Sequence, residues 1–129
     1  MGELKYFFFD TYALHEVAEG GMGYVKYLED VGIVTTKLNL MELYYTHLMK
    51  DKKDVAEALF ERFREFCAEL TDDIIKQAMQ KKAELKLLKR SSNLSYVDCV
   101  GYTVAQRLKI PFLTGDKEFA NLENVEFVK

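Results

Sequence analysis

Residues 6–14 read YFFFDTYAL, from Tyr6 through Asp10 to Leu14. Leu4 to Phe9 is apolar with Lys5 as its one charge. A short aromatic run of this kind reads as a strand buried on both faces. The carboxylate that ends it is the puzzle. A turn after a buried strand rarely needs a charge, so Asp10 leans toward function from the outset.

Working outward, Tyr12 to Val17 fits one or two helical turns. Gly20, Gly21 and Gly23 mark a loop, and Tyr24 to Asp30 a short helix. The β-branched run Ile33 to Thr36 predicts a second strand. Leu40, Leu43, Tyr44, His47 and Leu48 recur at helical spacing, with Asn39 as the expected N-cap. After the charged turn Lys50 to Lys53, a further stripe runs through Val55, Ala58, Leu59, Arg62, Phe63 and Phe66. Cys67 to Leu70 reads as a short third strand. Thr71 or Asp72 then caps a long helix with Ile74, Ala78, Leu85 and Leu88 inward, broken at Ser91 to Asn93. Ser95 opens the next helix, with Val97, Val100, Val104 and Leu108 inward. Pro111 cannot continue it, and Ile110 to Thr114 (IPFLT) becomes a fourth strand. Asp116 to Leu122 reads as a short helix and Val125 to Val128 as the last strand. Strands alternating with helices predict an α/β fold: a mainly parallel sheet of about five strands, covered by helices on both sides.

The chain of 129 residues fits a single domain, 1–129. Half of it is hydrophobic (49%) and 30% charged, an ordinary globular balance. No stretch approaches the ~20 apolar residues that span a bilayer, and no signal-peptide pattern precedes the first strand. Cys67 and Cys99 have no CxxC or CxxH spacing and read as small apolar residues. A cytoplasmic protein with reduced thiols is the expectation. The net charge of −3 argues against coating nucleic acid by bulk charge, but not against touching it locally.

Four acids stand out by position. Asp10 follows strand one, and Glu42 lies in the first turn of the helix after strand two. Asp98 opens the helix before strand four, and Asp116 follows that strand. Ligands gather at the carboxyl ends of strands in parallel sheets. Asp98 reaches that edge because its helix runs antiparallel to the strands. Singly, three of the acids have structural explanations. Glu42 suits a helix N-terminus, Ser95 to Asp98 fits a capping box, and Asp116 suits a cap. Jointly, four carboxylates on one edge repel strongly at low dielectric. A hard divalent cation, Mg²⁺ or Mn²⁺, relieves that repulsion through oxygen ligands. With no His–Cys ligand set, zinc is not expected there. Metal-assisted phosphodiester hydrolysis is the matching chemistry.

The order FFFDTYAL, NLMELYY and LSYVDCVGYTVAQRLKIPFLTGDKEF resembles the PIN domain family, and more narrowly the VapC-type toxin ribonucleases of toxin–antitoxin pairs. The last block is the most specific: an Asp opening a helix, an apolar strand, then T-G-D-K-x-F. The resemblance implies a three-layer α/β/α sandwich, usually dimeric. It implies Mg²⁺- or Mn²⁺-dependent endonucleolytic cleavage of RNA, with Asp10, Glu42, Asp98 and Asp116 holding the metal. Thr11 and Thr114 match supporting hydroxyl positions. Glu118 stands where many members have Asp, and its reading as a solvated helix residue stays open beside a supporting role. Cys99 replaces a common Ala. Lys37 to Asn39 replaces the small and hydroxyl residues frequent before the Glu helix. His15, close to Asp10, reads as incidental, since two-metal hydrolysis needs no histidine base.

Lys117 adjoins the acids and is the better candidate for RNA phosphate contact. Lys82, Lys86 and Lys89, extended by Arg90, form a basic rim that also reads as a solvated face. Tyr12 and Tyr45 could stack bases or pack. A cognate antitoxin is expected to bind near the acids, with an Arg or Lys between them.

Other acidic α/β folds fit less well. A receiver domain expects paired acids after strand one and a Lys after strand five. A haloacid-dehalogenase-type phosphatase expects D-x-D, whereas the chain has Asp10-Thr11-Tyr12. A PIN-domain nuclease of RNA processing, or a PIN-fold binding module with little catalysis, remains as the alternative.

Overall fold

In the computed structural model, which describes residues 4–88 and 93–129, four strands form one sheet in the order β2-β1-β3-β4. The strands are β1 (Lys5–Phe9), β2 (Val31–Val34), β3 (Phe112–Thr114) and β4 (Val125–Phe127). All three pairings are parallel. The helices are α1 (Thr11–Ala18), α2 (Lys37–Met49), α3 (Lys53–Phe63), α4 (Asp72–Leu87) and α5 (Tyr96–Leu108). The two expected short helices are 3-10 helices with shifted bounds, Met22–Leu28 and Lys117–Phe119.

Of the expected buried run, Phe7, Phe8 and Phe9 are buried, whereas Leu4 and Tyr6 are exposed. β1 is an inner strand, and successive side chains of a strand point to opposite faces. Phe7 and Phe9 enter one core with Leu14, Tyr24, Leu40, Leu43 and Phe63. Phe8 enters the other with Val100, Leu85, Phe112 and Phe119. β3 alternates likewise, Leu113 joining the first core and Phe112 the second. Helices α1 to α3 thus cover one face and α4 and α5 the other, giving the α/β/α sandwich. Gly101 lets α5 approach closely, since a Cβ there would lie 2.8 Å from the Phe8 ring.

Several expectations are corrected. Cys67 to Leu70 adds no strand. Among the described residues it makes one isolated bridge, Cys67 to Thr35, so the sheet has four strands. Leu88 and Leu108, expected inward, are exposed. In α3 the buried stripe is Ala56, Leu59 and Phe63, while Val55 points to solvent. Thr36, not Asn39, caps α2. The expected helix break at Ser91 and Ser92, and the rim residues Lys89 and Arg90, lie outside the described residues. Among the described residues, no helix is long and apolar enough to cross a membrane.

Candidate active site

Asp10 leaves β1 at its carboxyl end and caps α1, its Oδ1 accepting the Ala13 amide at 2.8 Å. Its Oδ2 accepts from the Thr114 hydroxyl at 2.5 Å. The residue is 3% exposed. Burial pushes its carboxyl up to about 7, and the charges of Asp98 and Asp116 add to the rise. The hydrogen bonds from Thr114 and Ala13 oppose this and are outweighed.

Glu42 sits in the second turn of α2, half-buried, its Oε1 accepting from the Thr11 hydroxyl at 2.6 Å. Thr11 in turn accepts from the Asn39 side-chain amide at 3.1 Å, and the Asn39 carbonyl accepts from the Thr36 hydroxyl at 2.6 Å. Thr36, Asn39, Thr11 and Glu42 therefore form one directed chain of hydrogen bonds between α2 and α1. Thr36 and Asn39 are fully buried. Burial first, and then the charge of Asp98, raises the Glu42 carboxyl, against the pull of Thr11.

Asp98 closes the capping box of α5: Ser95 N–H donates to its Oδ2 at 2.9 Å, and its own N–H donates to Ser95 Oγ at 3.1 Å. Burial and the neighbouring Asp116 raise its carboxyl, while the Ser95 hydrogen bonds and the Lys82 charge lower it. Asp116 follows β3 through Gly115. A Cβ at Gly115 would meet the Tyr12 ring at 2.1 Å and the Val128 carbonyl at 2.5 Å, so the turn tolerates no side chain. The Asp116 amide donates to Thr114 Oγ1 at 3.0 Å, and its Oδ1 accepts from Glu118 N–H at 3.0 Å.

The structure thus brings Asp10, Asp98 and Asp116 into mutual electrostatic reach, with Glu42 facing Asp98. Thr11 and Thr114 each hold one acid. Glu118 is half-buried beside Asp116. Lys82 is not a free rim residue: its Nζ donates to the Leu94 carbonyl at 2.5 Å and lies 4.9 Å from the Tyr96 ring centre. Lys86 and Lys117 are exposed. Sequence reading overlooked Thr36 as a cap and took Asn39 for one. The signal was Thr36 itself, an N-cap residue type at the end of the β-branched run, whose hydroxyl accepts the Asn39 amide at 3.2 Å. His15 contacts Glu19 and His47, and among the described residues its side chain pairs with none of the four acids. A groove of about 320 Å³ beside Thr11 is lined by Tyr12, His15, Glu16, Leu43 and Thr46.

Burial first, and then neighbouring carboxylates, raise Asp10, Glu42 and Asp98, so each would gain from a cation beside it. Its donors are all oxygens, which suits Mg²⁺ or Mn²⁺ rather than a softer ion. Each carboxylate retains lone pairs beyond the hydrogen bonds described.

A parallel α/β sandwich with a cluster of acids at the carboxyl edge of its strands defines a class of proteins that bind ligands at that edge. A sequence model of the PIN domain matches residues 7–125, and the chain belongs to that family. No curated protein sequence matches it significantly. Among solved structures it resembles VapC20 of Mycobacterium tuberculosis, described as a sarcin–ricin-loop-cleaving toxin, with a TM-score of 0.71 at 18% identity, covering 93% of this chain and 97% of that one. It also resembles VapBC2 of Rickettsia felis bound to promoter DNA (0.70 at 15%, covering 95% and 97%). A toxin–antitoxin complex from Klebsiella pneumoniae is similar too (0.68 at 19%, covering 92% and 94%). At such identities the likeness is one of fold.

Proposed function

We propose that the protein is a divalent-metal-dependent endoribonuclease and the toxin of a VapBC-type pair. The carrying observation is the buried Asp10, whose carboxyl is pushed up to about 7 while facing Asp98 and Asp116. Stability alone gives no reason to keep such a group. Asp10, Asp98, Asp116 and Glu42 would hold Mg²⁺ or Mn²⁺, which when bound supplies an activated water and stabilises the departing oxygen.

The chain's own residues prepare that site. Thr114 fixes the rotamer of Asp10 and the turn that carries Asp116. The Thr36–Asn39–Thr11 chain fixes Glu42. A bound cation would favour the ionised form of Asp10, its proton passing to solvent, against the protonated form that burial favours. Lys117, exposed next to Asp116, supplies positive charge for an RNA phosphate, while Lys82, anchored on the Leu94 carbonyl, acts on Asp98 instead.

The three structures named above carry toxin or toxin–antitoxin descriptions, which supports an antitoxin partner. The groove beside Thr11 offers that partner a seat next to the acids, and a homodimer is the expected assembly. The test is Asp98→Asn in purified, folded protein with Mg²⁺ or Mn²⁺ and RNA. Loss of cleavage is expected, and undiminished metal-dependent cleavage overturns the site. Co-expression with the neighbouring gene product tests the toxin role: relief of growth arrest and a stable complex are expected. Cleavage without either points to a nuclease of RNA processing instead.

A further inference from the structure

Among the described residues, one group of His, Cys, Asp or Glu ligand atoms lies within 4.8 Å of one another: His15, Glu19 and His47. It sits away from the acids. Glu19 is nine residues beyond Asp10 along α1, or roughly 13 Å at helical rise.

His47 is 1% exposed, and its Nδ1 lies 2.9 Å from the Leu43 carbonyl. A carbonyl only accepts, so Nδ1 carries a proton, and in the neutral ring Nε2 carries the lone pair. That Nε2 is buried and makes no hydrogen bond. Native structures rarely leave a buried polar atom unpartnered. It points at Glu19 Oε1, 3.8 Å away, and His15 Nε2 lies 3.7 Å from the same oxygen. Lys50 Nζ stands 3.4 Å from His15 Nε2. An ammonium only donates, so this Nε2 also presents a lone pair.

Two imidazole lone pairs and a carboxylate thus converge. A tetrahedral ion with bonds of ~2.0–2.1 Å holds its ligand atoms roughly 3.3 Å apart. The two measured spacings exceed that by about half an ångström, within the reach of small side-chain rotations. His47 donating its far ring nitrogen to a backbone carbonyl is also how metal-bound histidines are oriented. Glu19 caps α1, and His47 lies in the last turn of α2. Both helix C-termini favour a cation. Lys50 is exposed and can withdraw.

The geometry points to a second metal site, His15–Glu19–His47, that takes a borderline divalent cation of the zinc class and clamps α1 to α2. Nitrogen ligands with one carboxylate suit Zn²⁺ or Co²⁺, not Mg²⁺. His15 also lines the groove, which leaves a fourth position for water or a partner's side chain. The same two helices are joined nearer their N-termini by Thr11 and Glu42.

The test is titration of the full chain with Zn²⁺, and separately with Co²⁺, in excess Mg²⁺ to saturate oxygen-only sites. One tight equivalent is expected, with the visible bands of tetrahedral, nitrogen-ligated cobalt and a Zn²⁺-dependent rise in Tm. His15→Ala and Glu19→Gln, both at partly exposed positions, should weaken binding more than the ~10–100-fold that losing a ligand's hydrogen-bond partner costs. They keep the test valid if His47→Ala does not fold. Absence of the cobalt bands in the wild type, or equal Zn²⁺ affinity in His15→Ala and Glu19→Gln, overturns the proposal.

Discussion

Thr114 Oγ1 donates to Asp10 Oδ2 at 2.5 Å while accepting the amide of Asp116 at 3.0 Å. One buried hydroxyl thereby couples the ends of the two inner strands, β1 and β3, and sets two of the acids at once. Thr114→Val keeps the shape and removes both hydrogen bonds. A buried acceptor and an amide then lose partners, which costs about 1–3 kcal/mol each at full burial. Denaturant melts should show destabilisation in that range, and RNA cleavage should fall sharply. Thr114→Ser keeps the hydroxyl and should stay close to wild type. Equal behaviour of the two variants would show that only packing matters.

Asp10 makes stability depend on pH and on cation together. Unfolded, its carboxyl titrates near 3.8; folded, near 7. Between those values the folded state binds more protons. Its contribution is therefore fully present below about pH 4 and is lost as pH rises through 7. At ~1.36 kcal/mol per pKa unit the loss is on the order of 4 kcal/mol in cation-free protein. Thermal melts in chelator should fall across that window. Mg²⁺ should restore Tm at pH 8 and do little at pH 5. Asp10→Asn, which carries no charge, should flatten both effects.

How far the sequence leads can be read from particular residues. Phe7, Phe8 and Phe9 placed β1 inside because consecutive side chains of a strand point to opposite faces and both must then be buried, while Tyr6 stays exposed at its start. The spacing of Ser95 and Asp98 located the start of α5, since a capping box is local. Cys67 to Leu70 failed as a strand because its apolar content serves packing: Phe66, Cys67 and Ala68 lie against the two cores with a single bridge to Thr35. Leu108 and Leu88 turned outward because they stand at helix ends, where periodicity no longer decides burial. The acids' positions were legible from strand ends. Their hydrogen-bond partners were not, apart from the threonines the family pattern suggests. A chain such as Thr36–Asn39–Thr11–Glu42 joins two helices and exists only once they pack.

That chain makes Asn39 testable. Its amide holds Thr11, which holds Glu42, yet Asn39 stands one helical turn from the acid. Asn39→Ala should reduce cleavage by roughly tenfold or more, as when a ligand loses its orienting partner. Asn39→Asp keeps the acceptor for Thr36 but loses the donor and adds a like charge, so it should be worse. Lys37→Ala, at an exposed position of the same turn, should be silent. Cleavage assays beside melting curves separate the effect from unfolding. Full activity in Asn39→Asp would remove the chain from the site.

Lys82 and Lys86 look equivalent in sequence, and the structure separates them. Lys82 is anchored on the Leu94 carbonyl, and its charge lowers the Asp98 carboxyl against the rise from burial. Lys86 is exposed. Lys82→Met keeps most of the stem and removes the charge, so the Asp98 carboxyl should climb further. The acid limb of the cleavage profile should move to higher pH, because Asp98 would need more alkaline conditions to ionise. Lys82→Arg should retain much of the original profile, as the charge persists while the geometry changes. Lys86→Ala should leave it unmoved. Titration of Asp98 by carboxyl carbon NMR in cation-free protein reads the shift directly. An unchanged midpoint in Lys82→Met would reduce Lys82 to a packing residue beneath Tyr96.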